Sequence, residues 1–111
     1  MEMKITISED NTEEIARLAT EAGKAALETC ALIAEAYAIK LCPVDTGRLR
    51  GSITHGVDMG ELCAYIGTNV EYAAYVEYGT SRMKPQPYFK PAINDHIEEY
   101  KQIINSALEN A

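Results

Sequence analysis

The chain has 111 residues, 47% hydrophobic and 24% charged, with a formal net charge of -7. Those proportions suit one compact domain, and the acidic balance speaks against a general nucleic-acid binder, whose usual footprint is a basic surface. The opening Met1-Glu2-Met3-Lys4 is not a basic segment leading into an apolar one, and no apolar run is long enough to cross a bilayer, so a protein made and kept in a cytoplasm is expected.

Met3 to Ile7 alternates apolar and polar residues and reads as a short strand. Ser8 to Asn11 breaks it, and Asn11 with Glu14 has the spacing of a capping box. One long helix is then expected from about Thr12 to Leu41. Ile15, Leu18, Ala22, Ala26, Cys30, Ile33, Tyr37 and Leu41 recur every three or four residues along it. Such a helix would run about 45 Å at 1.5 Å per residue. Glu13, Arg17, Glu21, Lys24 and Glu28 mark its other side. Pro43 ends it, because it lacks an N–H and biases Cys42 away from helical backbone.

Pro43 to Gly51 is a connector with turn chemistry, in which Asp45 or Thr46 could cap one helical turn. Ser52–Val57 and Leu62–Gly67 alternate on either side of a turn at Asp58–Glu61, which predicts a β-hairpin. Tyr72, Tyr75 and Val76 fit a short helix capped at Asn69 and stopped by Gly79, while the aromatic content would also suit a strand. Thr80–Pro87 is a polar, proline-braced loop. A second long helix should start near Tyr88, with Pro91 in its first turn and an apolar stripe of Phe89, Ile93, Ile97, Tyr100, Ile104 and Leu108. The expected class is α+β, two long helices packed on a small antiparallel sheet in a single domain.

No residue set makes a strong catalytic case. Asp45-Thr46-Gly47 is the triplet of aspartic proteases, but those folds are nearly all β and carry a small residue where Arg48 stands. His55 and His96 lie on different predicted elements, without metal-ligand spacing. Cys30, Cys42 and Cys63 are an odd count with no Cys-x-x-Cys pair, and read as buried or half-buried, reduced thiols. Glu71 and Glu77 sit among tyrosines. Glu77 reads as half of a structural clamp with Arg48 or Arg50 opposite, since an Arg–carboxylate pair fixes geometry. Tyr72, Tyr75, Tyr78 and Tyr88 suit core and interface better than base stacking, because only Arg82 and Lys84 are basic neighbours. Tyr75, Tyr78, Arg82 and Lys84 are therefore the expected interface. A small hydrolase or nuclease accessory using Asp45 and Glu77 competes with a structural reading, and a regulatory interaction protein with no virion role is a third.

Four ordered blocks carry a resemblance. They are Pro43-Val44-Asp45-Thr46-Gly47-Arg48-Leu49-Arg50-x-Ser52-Ile53, then Ile66-Gly67-Thr68, then Tyr72-Ala73-x-Tyr75-Val76-Glu77-Tyr78-Gly79-Thr80, then Pro85-x-Pro87-Tyr88-Phe89-x-Pro91-Ala92. Together they resemble the gene-product-ten family of tailed phages: small head–tail joining, tail-completion or minor tail proteins. Tyr78 stands where Phe is common in that family, and Tyr88-Phe89 where Pro is often followed by Phe-Leu. The resemblance implies a long helix on a curved sheet and copies assembled as a ring at the neck or tail end. It implies other phage neck or tail proteins as partners, with no cofactor, no membrane and no sequence-specific nucleic acid. It supplies no catalytic residues.

Overall fold

In a computed structural model of the chain, the structure describes residues 1–5, 12–43 and 47–109, with the side chains of 12–14 set aside. The predicted Asn11–Glu14 capping box and the cap at Asp45 or Thr46 lie outside the described residues. The elements, in chain order, are β1 (Glu2–Ile5), α1 (Thr12–Leu18), α2 (Glu21–Leu41), α3 (Arg48–Ser52), β2 (Thr54–Asp58), β3 (Cys63–Gly67), α4 (Ala73–Tyr78), α5 (Phe89–Asn94) and α6 (Ile97–Glu109). The α+β class holds. The described helices number six, however, and only α2 and α6 are long.

The hairpin of β2 and β3 forms as the alternation predicts, pairing Thr54 with Gly67 and Asp58 with Cys63. Asp58 holds the turn, its Oδ1 accepting the N–H groups of Gly60 and Glu61 at 2.9 and 3.1 Å. β1 adds antiparallel to the far side of β3, so the sheet order is β1-β3-β2. A central strand buried on both faces should be apolar throughout. β3 is: Cys63, Ala64 and Ile66 are buried.

The expected helix over 12–41 is two helices. Thr20 takes an extended conformation (ψ 170°) and caps α2, its Oγ1 accepting the Gly23 N–H at 3.2 Å. The same hydroxyl donates to the Arg17 carbonyl at 2.6 Å, closing the end of α1. Gly23 lets the corner fold tightly, for a Cβ there would lie 2.2 Å from the Leu18 carbonyl oxygen. The chain thus turns back and drives Leu18 into the core, 1% exposed. α2 ends as predicted, with Cys42 extended before Pro43.

The expected helix after Tyr88 also divides. α5 stops at Asn94, and α6 begins again at Ile97. Tyr100 ties the two together by donating from its hydroxyl to the Ala92 carbonyl at 2.6 Å. Tyr37 of α2 covers the joint, stacked on His96 with ring centroids 3.7 Å apart and donating to Glu99 at 2.7 Å. The core lies where α2 meets the sheet on one side and α5 and α6 on the other, filled by Leu27, Cys30, Ile66, Phe89, Tyr100 and Ile104. Among the described residues, every buried side-chain nitrogen and oxygen has a hydrogen-bond partner.

Candidate assembly interface

α4 has only six residues, too few to be stable alone, and the segment after it holds it in place. Gly79 ends the helix at φ 75°, its N–H donating to the Tyr75 carbonyl at 2.8 Å. The chain then folds back on itself. Thr80 and Met83 exchange backbone hydrogen bonds, at 2.9 and 3.3 Å, and the Gln86 N–H returns to the Val76 carbonyl at 2.8 Å. A Cβ on Gly79 would lie 2.8 Å from the Met83 oxygen and from the Pro85 nitrogen. Gly79→Ala is therefore expected to cost about 2 kcal/mol or more, from the left-handed backbone plus the clash. Urea unfolding measures the loss, and an unchanged midpoint would show that the loop can relax freely.

Glu77 closes the base of this loop. It is 2% exposed, in line with Ala73 on the buried side of α4. Its Oε1 accepts the N–H groups of Tyr88 and Phe89 at 3.0 and 2.8 Å, and its Oε2 accepts that of Lys90 at 3.1 Å. These amides open α5, whose first N–H groups have no partner within the helix. Tyr88, at the cap position, supplies no side-chain cap. A carboxylate brought from another helix fills that place and complements the positive end of the α5 dipole.

The arginine clamp expected for Glu77 is thus corrected. No arginine stands within ion-pair distance of Glu77 among the described residues. Arg48 instead pairs with Glu71, its two terminal nitrogens at 3.2 and 3.1 Å from the two carboxylate oxygens. It also lies over the Tyr72 ring, 5.7 Å from the centroid. The backbone N–H of Glu71 and the Arg48 guanidinium hold the Glu71 carboxyl below its ordinary range. The pair is exposed, so it positions α3 against the start of α4 more than it stabilises the fold. Arg50 makes no ion pair among the described residues. The clamp failed because Glu77 is on the inner face of α4, where backbone donors reach it first, whereas Glu71 points outward toward the connector.

The tyrosines divide. Tyr88 is fully buried and donates from its hydroxyl to the Ala73 carbonyl at 3.0 Å. Burial pushes its phenol well above the ordinary range. Tyr75 and Tyr78, three residues apart on the outer face of α4, are each 60% exposed. Arg82 and Lys84 are exposed on the loop, and Met83 between them is 38% exposed. The four residues expected at an interface are therefore all displayed on one helix and the loop fastened to it.

Asp45 lies outside the described residues. The Glu77 carboxylate is buried and occupied by three donors, which removes half of the pairing that a hydrolase would need. His55 contacts Glu35, and His96 stands 3.6 Å from Glu99. No cluster of three or more metal-ligating side chains occurs among the described residues. The three cysteines are buried and unpaired, and burial pushes the Cys30 thiol up to about 11. No described helix is long and apolar enough to cross a membrane.

Residues 9–79 match the family described as "Bacteriophage HK97-gp10, putative tail-component". The match spans the connector, the hairpin and α4. It stops at Gly79, before the loop and the Pro-Tyr-Phe segment that Glu77 holds. Neither a curated protein nor a solved structure matches the chain. The match covers more than half of the sequence and includes three of the four blocks that carried the resemblance, Thr80 excepted. The chain belongs to the HK97-gp10-like family of bacteriophage tail components.

Proposed function

We propose that this chain is a single-domain structural assembly protein of a tailed phage or prophage, built into the head–tail joint or the tail end. Copies form a ring on a neighbouring neck or tail protein. The protein is made in the host bacterial cytoplasm and passes from there into the virion. It works without a cofactor, and its partners are proteins, with no membrane and no sequence-specific nucleic acid involved.

The observation that carries this reading is the fastened loop after α4. With α4 it presents Tyr75, Tyr78, Arg82 and Lys84 on hydrogen-bonded backbone, in a chain that is otherwise acidic. Rigidly held loops are the usual carriers of recognition, and exposed tyrosines are favoured in protein interfaces. A net charge of -7 keeps free copies apart at long range, so closing a ring draws on a template of complementary surface.

The test is complementation of a phage lacking this gene. Arg82→Glu with Lys84→Glu should leave the purified protein folded, since both side chains are exposed. Lysates should then hold unjoined heads and tails, or unfinished tails, with the infectious titre down about 100-fold or more. Normal titres from the double variant would remove the loop from the joint. Normal particles from the phage without the gene would remove the function.

A further inference from the structure

α2 packs against the sheet on one side and α5 and α6 on the other, yet a strip of its outward side is also apolar. Gly23, Leu27, Ala31, Ala34 and Ala38 face the core. On the opposite side Ala25, Thr29, Leu32 and Ala36 are exposed, Leu32 by 54%. Their spacing of four, three and four makes a narrow seam along the helix. Small residues let another backbone come close, and a helix apolar on both sides is ordinarily buried on both. The seam borders an open groove between α2 and the outer strand β2, lined by Ala25, Glu28, Thr29, Leu32, His55 and Val57.

Charge selects what covers it. Glu21, Glu28 and Glu35, seven residues apart, run beside the seam, with Lys24 next to Glu21 and Glu28 and with Glu35 in contact with His55; three carboxylates to one cation leave the row acidic. Two α2 seams laid antiparallel would bring these rows face to face, and like charges so placed disfavour the pairing. The loop after α4 has the opposite character: exposed rings beside cations. Arg82 and Lys84 have no ion-pair partner among the described residues. The two surfaces are also far apart within one chain. α4 lies by the C-terminal end of α2, where Glu77 acts on the Cys42 thiol. The groove begins ten residues back from Cys42 and ends at Ala25, about 15–25 Å along the helix axis. One copy therefore cannot fill its own groove with its own loop.

We infer that the occupant is the α4 loop of a second copy of this chain. Tyr75 and Tyr78 of one copy enter the groove between α2 and β2 of the next, and Arg82 and Lys84 meet Glu21 and Glu28. The contact is head-to-tail, the kind that closes a ring when its rotation allows. The inference rests on the proposed ring assembly and names the two faces that build it.

The experiment is a charge exchange in the same complementation assay. Arg82→Glu with Lys84→Glu, and separately Glu21→Lys with Glu28→Lys, should each lower the yield of joined particles about 100-fold, and the fourfold variant should return to within about tenfold of wild type. Normal yield from Glu21→Lys with Glu28→Lys, with no rescue in the fourfold variant, means that the loop meets a different virion protein. That outcome overturns this contact and leaves the assembly function standing, whereas only the gene deletion tests the latter. Should the lysine substitutions unfold α2, a second pair decides. Leu32→Cys with Tyr78→Cys, oxidised in assembled particles, should give a ladder beyond dimer on non-reducing gels, absent from either single variant. Assembled particles that yield only monomer overturn the contact.

Discussion

Glu77→Ala is expected to remove about 3–5 kcal/mol of folding stability, the range for breaking a buried charged pairing and leaving its partners behind. The backbone N–H groups of Tyr88, Phe89 and Lys90 would lose their acceptor together. Each unsatisfied buried donor costs about 1–3 kcal/mol, and Tyr88 and Phe89, whose N–H groups are two of the three, are fully buried. A domain of this size has about 5–15 kcal/mol in total, so the variant should be close to unfolding at body temperature. Glu77→Gln keeps one oxygen to accept from Tyr88 and Phe89 but turns its amide NH2, a second donor, toward the Lys90 N–H. It should lose about 1–3 kcal/mol. Urea midpoints for the two variants give both numbers. A wild-type midpoint for the alanine variant would falsify the capping role.

Gly23→Ala is expected to destabilise by about 2–4 kcal/mol through overpacking against main chain. Helix propensity alone predicts the opposite sign, a gain of about 1 kcal/mol, because alanine replaces glycine inside a helix. The contact decides between them. The added methyl would lie 2.2 Å from the Leu18 oxygen and 2.6 Å from its carbonyl carbon, both of them main-chain atoms that cannot rotate away. α1 would have to lift from α2, drawing Leu18 out of the core. Thermal unfolding reads the sign directly, and a raised Tm would show that α1 moves aside without loss.

Those two residues also mark where the sequence stops being informative. The hairpin is legible because alternation and a Gly-containing turn are local signals, and Pro43 ends α2 by covalent geometry alone. The break at Thr20 is hidden in an alanine-rich run with no proline. Its signs are a threonine three residues before a glycine, both ordinary inside a helix until Leu18 is known to pack behind them. The inner face of α2 is misjudged for a related reason. Ile15 and Leu41 continue the predicted stripe yet are 40% and 46% exposed, while Gly23, Ala31 and Ala34, off that stripe, are buried. Where apolar residues surround a helix, their period cannot say which side faces inward. Glu77 is recognisable as structural, but not its partner, since hydrogen bonds to main chain leave no mark in residue type. One clue existed: α5 opens on Tyr88 with no serine, threonine, aspartate or asparagine to cap it, so an acceptor had to come from elsewhere.

The fastening of the loop by Glu77 also bears on how tightly small contacts can hold. Ordering one flexible residue costs about 1–2 kcal/mol, so a floppy loop from Gly79 to Pro87 would surrender most of its contact energy on docking. Here that ordering is completed when the subunit folds, and the loop arrives preorganised. Two rings and two cations can then suffice for recognition without a broad buried face. Such a contact is also weak enough, taken singly, to let go. In the proposed ring, subunits joined by many modest, rigid contacts would sample and correct their placement before the last one closes the circle.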